Sequence, residues 1–220
     1  MNRPTRPLFT FLFSLFTAAL CAASASAAAF SPLQIGIDGE NLQLVDAHTP
    51  VYGLRINLPL SGNDTVAGLD IGLASTTKTF SGIRLNAISG TDKTANGVEL
   101  SLCTMDYNLN GINVSGIGFV MHEMHGLQAG IGTYAGTLRG IQLSLWSNAD
   151  DLRGLQIGLA NFADSSHGLQ LGIFNSSAQS YGLQLGLVNR AESLHGLQIG
   201  LVNIATESDF PCLPLLRASF

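Results

Sequence analysis

The residues of this chain best suited to chemistry lie in one short stretch. His122-Glu123-Met124-His125 places two imidazoles three residues apart, a spacing that on a helix could bring both rings to one metal ion. The flanking residues alternate between apolar and polar types, so we predict strand or loop here, with the two rings on opposite sides. The spacing therefore predicts no metal site.

Nucleophilic catalysis has an equally thin basis in the sequence. A hydrolase needs a nucleophile beside a histidine and an orienting acid, and Ser115, His122 and Asp106 are candidates by residue type alone. No glycine-rich turn opens a helix at the spacing that cradles phosphate. We predict a protein that is not an enzyme, with no catalytic, cofactor-binding or metal-binding residue and no cofactor.

The composition of the chain excludes a further class of function, the binding of nucleic acid. The chain has 220 residues, of which 11% are charged, against about 25% in an ordinary soluble domain. Lysine and arginine number 10 and aspartate and glutamate 15, which gives a formal charge of −5 with no basic run. Nucleic acid is therefore excluded as an expected partner.

The first 27 residues are predicted to be a signal peptide. Arg3 and Arg6 precede an apolar run, Leu8 to Leu20, and small residues follow up to Ala27, where we place the cleavage. Removal of two arginines leaves 8 basic against 15 acidic residues, a charge of −7. The predicted product is exported and acidic.

Two cysteines remain after the predicted cleavage, because Cys21 belongs to the signal peptide. Cys103 and Cys212 could pair outside the cytoplasm, or could be two small apolar residues on separate strands. The sequence leaves both readings open.

Internal repetition is the dominant feature of residues 28–220, which we predict to be a single β-repeat domain with repeat units over about 53–203. Eleven glycines open apolar runs at gaps of 14 or 15 residues. These opening glycines are Gly53, Gly68, Gly82, Gly97, Gly111, Gly126, Gly140, Gly154, Gly168, Gly182 and Gly196.

Each repeat unit alternates with a period of two, which predicts a strand. Leu155, Ile157 and Leu159 are predicted to point one way, whereas Gln156, Gly158 and Ala160 point the other way. We expect about ten residues of strand and four of turn, the turns being stretches such as 162–166 and 190–193. One strand or hairpin is predicted upstream over 33–45 around Asp38-Gly39, and a terminal strand over 211–220.

Two all-β architectures fit these strands. The preferred one is an antiparallel meander closed into a roughly 12–14-stranded outer-membrane β-barrel, because Gly154-Leu155-Gln156-Ile157-Gly158 reads nearly the same in both directions. The alternative is a parallel β-solenoid with 14–15-residue coils. In that alternative the leucines are expected to point inward with little to pack against, and a flat glutamine face is expected to bind a partner.

The barrel hypothesis has specific consequences for side-chain direction. Leu155, Ile157 and Leu159 would face lipid and Gln156 would face a lumen, so Ile157→Arg should cost about 2–4 kcal/mol and Gln156→Arg should be mild. The terminal Phe220 is typical of outer-membrane strands. The residues just before the later opening glycines would lie at the lipid headgroups. These are His125, Arg139, Arg153, His167, Tyr181 and His195.

The residues two positions after each opening glycine form a polar series. It begins with Arg55, Asp70, Arg84 and Glu99, whose alternating charges are predicted to pair neighbouring strands in either architecture. Trp146 and Phe174 occupy the same place in their units as alanine or valine in others, so we predict packing roles for both.

The run of Gly-Leu-Gln-x-Gly-Leu-x-Asn units, with Val51–Leu58 and Gly68–Leu73 before it, resembles the bacterial surface repeat-containing protein family. The ending Pro211–Phe220 is similar to the Pro-rich, aromatic-terminated tail of that family. The resemblance extends from about Pro32 onward and departs from the pattern around Ser115 to Met124. It implies a secreted or outer-membrane location and no known catalytic residue.

Together these observations predict a non-enzymatic protein of the bacterial outer membrane or cell surface. Its expected role is structural, interactive or that of a passive pore, with outer-membrane lipid as the expected partner. The alternative is a soluble or surface-attached β-solenoid that works as a binding module.

Overall fold

The computed structural model describes residues 30–38 and 42–219. The described residues form strands and connections without a helix. The strands are β1 (Ser31–Asp38), β2 (Leu42–Gln43), β3 (Val51–Leu152), β4 (Leu155–Ser166), β5 (Leu169–Ser180), β6 (Leu183–Leu194), β7 (Gly196–Ala205) and β8 (Cys212–Ser219).

Successive repeat units pair in parallel, with equivalent residues side by side. Gln142 lies beside Gln156 in the pair of β3 with β4, and Gln156 lies beside Gln170 in the pair of β4 with β5. The same 14-residue register continues through β6 and β7. The chain is therefore a parallel β-solenoid, as the alternative predicted, and the prediction of an antiparallel barrel is wrong. A near-palindromic motif keeps its pattern in either strand direction, so it could not separate the two.

The prediction of four-residue turns is also wrong. Residues 162–166 lie within β4 and residues 190–193 lie within β6, and β3 continues for 102 residues through several repeat units. The chain turns instead where two consecutive side chains point outward. Inside β4 this happens at Leu159-Ala160 and again at Asp164-Ser165, between inward residues on either side. The prediction that Ala160 points to the same side as Gln156 is therefore wrong, because strict alternation ends at this corner.

The opening glycines stack directly on one another along the solenoid. A Cβ on any of them from Gly68 to Gly196 would overlap the carbonyl oxygen of the glycine one unit earlier. Gly82 also has a φ of +139°, a conformation that L side chains rarely adopt. The repeat of glycine therefore reflects close approach of neighbouring backbones at one corner of the coil.

Antiparallel strands lie at both ends of the parallel stack. At one end β2 pairs antiparallel with β1, which confirms the predicted upstream hairpin. At the other end β8 pairs antiparallel with β7, which confirms a strand near the predicted position of 211–220. The predicted signal peptide and Phe220 lie outside the described residues.

The apolar interior is a narrow column rather than a broad core. It contains the residue two positions before most of the opening glycines, for example Val66, Phe80, Leu109 and Leu138, all at most 1% exposed, whereas Ser166 and Ser180 occupy this position in two later units. Alanines such as Ala149 pack beside this column. No helix among the described residues is long and apolar enough to cross a membrane.

Candidate functional site: an uncharged aliphatic surface

A ladder of buried glutamine amides fills one line of the interior. From Gln142 onward, each Nε2 donates to the Oε1 of the glutamine one unit earlier, with distances of 3.0 Å from Gln142 to Gln128 and 2.9 Å from Gln156 to Gln142. Gln156 Nε2 also donates to the carbonyl oxygen of Phe162 at 3.1 Å. In-register stacking of identical amides satisfies the polar atoms that the coil removes from water.

A second ladder of asparagines runs beside the first with the opposite polarity. Asn161 Nδ2 donates forward to Asn175 Oδ1 at 2.8 Å, and Asn175 donates in the same way to Asn189. The acceptor at the start of this ladder, Asn161 Oδ1, and the acceptor at the end of the glutamine ladder, Gln198 Oε1, are buried without a hydrogen-bond donor. Each ladder thus leaves one orphan atom at the end where its donors run out.

The first members of the inward polar column are charged, and they pair as predicted. Arg55 forms two hydrogen bonds to the Asp70 carboxylate, at 2.7 and 3.1 Å, and Arg84 bridges Asp70 at 3.1 Å and Glu99 at 2.9 Å. Burial lowers the pKa of Arg55. Burial alone would raise the pKa of Asp70, but the hydrogen bond and charge of Arg55 and the charge of Arg84 hold it below its usual value.

Asp106 adds a third carboxylate to these two arginines. It is 1% exposed, its oxygens have no hydrogen-bond partner, and its Oδ1 lies 4.0 Å from Arg84 Nη1. Burial, followed by the nearby charge of Glu99, raises the pKa of Asp106 well above its usual value. With two cations and three acids in the cluster, a proton on Asp106 leaves the cluster neutral.

These inward polar columns place the aliphatic residues outside. Gln156 is fully buried, whereas Leu159 is 52% exposed and the equivalent Leu187 and Leu201 are 50% and 61% exposed. The predicted direction, polar inward and aliphatic outward, is confirmed. Two expectations attached to the solenoid alternative are wrong, because the leucines do not point inward and the glutamines form no external face.

Side chains fill the interior of the coil, whereas two predictions, the passive pore and the mild effect of Gln156→Arg, assumed an open lumen there. Gln156 contacts Gln142, Gln170 and a backbone carbonyl rather than water. A passive pore through the interior is therefore wrong for this fold. Gln156→Arg is no longer expected to be mild, because the guanidinium would enter a packed interior without a counter-ion.

The outward positions one, three and five residues after each opening glycine form what we call the aliphatic side. Across the eleven units these 33 positions hold 30 leucine, isoleucine or valine residues, with Ala87, Gly116 and Ala129 as the others. Ten steps of about 4.8 Å and four residues of about 3.3 Å give a surface roughly 50 Å long and about 13 Å wide. Its area of roughly 650 Å² exceeds the largest apolar patch of a typical monomer, about 300–600 Å².

Two unlike edges border the aliphatic side. The polar edge is the residue before each opening glycine, which from unit to unit is mostly Ser, Asn, His, Arg or Tyr. The apolar edge is the sixth residue after each opening glycine, which carries no charge in any of the eleven units. Its members are Pro59, Ala74, Ile88, Cys103, Ile117, Gly132, Trp146, Ala160, Phe174, Val188 and Val202.

Aromatic rings lie along both edges, in a histidine–tyrosine stack on the polar edge and in a tryptophan–phenylalanine cluster on the apolar edge. On the polar edge, His167, Tyr181 and His195 stack at centroid distances of 4.9 and 5.1 Å, one unit apart. On the apolar edge, Trp146 stacks on Phe162 at 4.6 Å, and Phe162 contacts Phe174 at 5.7 Å. The apolar edge was not predicted from the sequence, although the absence of charge at the sixth position after every opening glycine is a signal that the sequence contains.

The aliphatic side is grooved near its carboxy-terminal end. An open groove of about 650 Å³ runs between the outward columns of the last three units and ends at Leu215 of β8. The residues that line it are Leu171, Gly172, Ile173, Leu185, Gly186, Leu187, Ile199, Gly200, Leu201 and Leu215. Such a lining offers dispersion contacts and no polar side chain.

The chemically suggestive residues of the sequence are not brought together. Ser115 Oγ donates to Asn113 Oδ1 at 2.8 Å, His122 Nδ1 lies 3.0 Å from Asn108 Oδ1, and Asp106 is buried in the charged cluster. His125 instead contacts Glu123 at 3.3 Å. Within 30–38 and 42–219, no group of three metal-ligating side chains occurs.

The two cysteines do not form a disulfide. Cys103 and Cys212 are both free thiols.

Trp146 and Phe174 share the register of Ala160, as predicted from their place in the repeat. Trp146 is 56% exposed, so it packs against Phe162 at the surface rather than in a core.

No protein-family model, curated protein or solved structure matches this chain. The surface repeat-containing family therefore stays a prediction from the motifs.

Proposed function

We propose that this protein is an exported, non-enzymatic β-solenoid of the bacterial envelope that binds a lipid surface through its aliphatic side. The observation that carries the proposal is the composition of that side, which has no charged or hydrogen-bonding side chain at any of its 33 positions. The chain places its charges elsewhere, on the interior cluster and on the remaining surfaces. The predicted signal peptide and the family resemblance support an outer-membrane or cell-surface location.

The same composition argues against an ordinary protein partner. Protein interfaces form about one hydrogen bond per 100–200 Å² and favour tyrosine, tryptophan and arginine at their centres. A surface made of aliphatic side chains with aromatic and basic residues confined to its borders is typical of segments that lie in a membrane interface.

A second copy of this chain is the second candidate partner. Roughly 650 Å² per copy approaches the about 800 Å² per partner of a standard stable interface. Two flat sheets with the same spacing of columns could also stack face to face at about 10 Å.

Vesicle flotation with the chain from Ala28 onward tests the proposal. We expect the protein to float with neutral phosphatidylcholine vesicles, and the variant Leu159→Glu with Leu187→Glu to bind on the order of tenfold more weakly, because two carboxylates would enter the lipid interface. Both leucines are half exposed, so the variant is expected to fold. The control, Gln179→Glu with Thr206→Glu, adds the same charge at exposed positions away from the aliphatic side.

Sedimentation of the same samples separates the two partners. A wild-type protein that does not float, forms a dimer and becomes a monomer through the two leucine substitutions would overturn the lipid proposal in favour of a second copy. Equal loss of flotation in the control variant would show that net charge, rather than the aliphatic side, governs binding, and would also overturn it.

A further inference from the structure

The two borders of the aliphatic side differ in most units of the solenoid, and this asymmetry bears on how the protein lies on lipid. The apolar edge holds no charge across eleven units, whereas the polar edge holds arginine, histidine, asparagine, serine or tyrosine in most of them. A surface with unlike borders does not enter a bilayer evenly, because polar groups resist transfer to hydrocarbon and apolar ones favour it.

We propose, on the basis of the lipid-binding function above, that the solenoid lies with its long axis along the membrane and rolls about that axis toward the apolar edge. Trp146 and Phe174 then lie among the acyl chains together with the aliphatic side. His167, Tyr181 and His195 lie at the phosphates and ester carbonyls of the headgroups.

The contacts of the apolar edge fit immersion. Trp146 is 56% exposed, and its ring is stacked on Phe162, which in turn contacts Phe174, so the three rings form one continuous apolar surface. Trp146 also lies directly after Leu145, an aliphatic-side residue that is 54% exposed. No polar side chain separates the aromatic rings from the aliphatic side.

The contacts of the polar edge fit the headgroup level. The stack of His167, Tyr181 and His195 presents ring nitrogens and a phenol hydroxyl, which can hydrogen-bond to phosphate or ester oxygens. Arg153 Nε lies 2.8 Å from Asp151 Oδ2 in an ion pair, and the arginine side chain is still about half exposed. Arg139 is exposed, and none of the ion pairs found among the described residues includes it.

The chain provides its own probe, because Trp146 is its single tryptophan. With phosphatidylcholine vesicles brominated deep in the acyl chain or close to the headgroup, we expect deep bromine to quench Trp146 more strongly than shallow bromine. The matched probe for the other edge is Tyr181→Trp in a Trp146→Phe background. We expect its ratio of deep to shallow quenching to be lower by at least about twofold.

A third variant checks that depth belongs to the edge and not to one residue. Val188→Trp in the Trp146→Phe background occupies the equivalent position on a later unit, in register with Phe174. We expect its quenching ratio to match that of Trp146.

The outcomes separate the orientation from the function on which it rests. Flotation with equal ratios at the two edges, or a deeper probe at position 181, would overturn the roll and leave lipid binding intact. Absence of flotation together with absence of quenching at every probe would overturn the lipid-binding function and the orientation with it.

Discussion

At the scale of single residues, each inward amide serves two neighbours at once. Gln156 donates to Gln142 and to the Phe162 carbonyl, and it accepts from Gln170 at 2.9 Å. An amide in this position cannot be removed without leaving buried polar atoms unpaired, and each such atom costs about 1–3 kcal/mol. The stability of this protein therefore depends on the hydrogen bonds between stacked inward amides as well as on the burial of apolar side chains.

We expect Gln156→Leu to be more destabilising than Gln198→Leu by about 1–3 kcal/mol. The first substitution orphans an acceptor, a donor and a carbonyl, whereas Gln198 ends the ladder and its Oε1 already lacks a donor. Chemical unfolding of both variants measures the difference. Equal losses would contradict the ladder as the source of the cost.

The raised pKa of Asp106 predicts that the free energy of unfolding decreases as pH rises. Its pKa is raised in the folded protein, so its contribution to stability is complete below the pKa of the unfolded chain and is lost as pH rises through the folded pKa. We expect Asp106→Asn to remove this decline and to be more stable than the wild type at the upper end of that range. Unfolding free energies measured from acid to neutral pH test it, and parallel curves for the two proteins would contradict it.

At the scale of the repeat unit, the opening glycine fixes the spacing of neighbouring units. Its backbone lies against the carbonyl oxygen of the unit before, which leaves no room for a Cβ. The same unit then alternates inward amides with outward aliphatic residues. Each unit thus builds one row of the aliphatic side and one step of each interior ladder.

The glycine column predicts a sharp contrast between two substitutions to alanine. Gly82→Ala combines an unfavourable φ of +139° with overlap of the Gly68 carbonyl, and we expect it to cost about 1–3 kcal/mol or more. Gly132 has open space around the position of a Cβ, so Gly132→Ala should be neutral or stabilise by about 0.4–1 kcal/mol. Thermal unfolding of the pair measures the contrast, and similar melting temperatures would contradict it.

At the scale of the whole molecule, an antiparallel strand pairs with each end of a stack that could otherwise grow, β8 along most of β7 and the two residues of β2 with part of β1. The open edge of a parallel sheet is a template for another chain. β8 pairs with the edge of β7, and Leu215 and Leu216 of β8 are exposed. The solenoid therefore exposes its aliphatic side while the edge of β7 is covered.

Removal of residues 211–220 is expected to produce concentration-dependent end-to-end association, because the hydrogen-bonding edge of β7 becomes free. Sedimentation velocity over a range of concentrations measures it. The control is Leu216→Ser, which changes an exposed residue and keeps the strand. A truncated chain that sediments like the full chain at every concentration would contradict the capping role of β8.

The period, the strand type and the two sets of residues that share a face could be predicted from local patterns in the sequence. Opening glycines at gaps of 14 or 15 residues identified the units, and alternation placed Gln156 opposite to Leu155 and Ile157. Alternation with a period of two is a local property of extended backbone, so it can be read without knowing what lies beside the strand.

The strand direction and the contacts of the inward face depend on long-range pairing and could not be predicted from these local patterns. A motif as symmetric as Gly154–Gly158 has the same pattern in parallel and antiparallel neighbours, and apolar-outward patterns suit both a barrel in lipid and a solenoid. The parallel 14-residue register brings each Gln156-type amide against its own copy one unit away, where it can both donate and accept. That long-range pairing fills the interior with amides and leaves the leucines outside, and no local pattern encodes it.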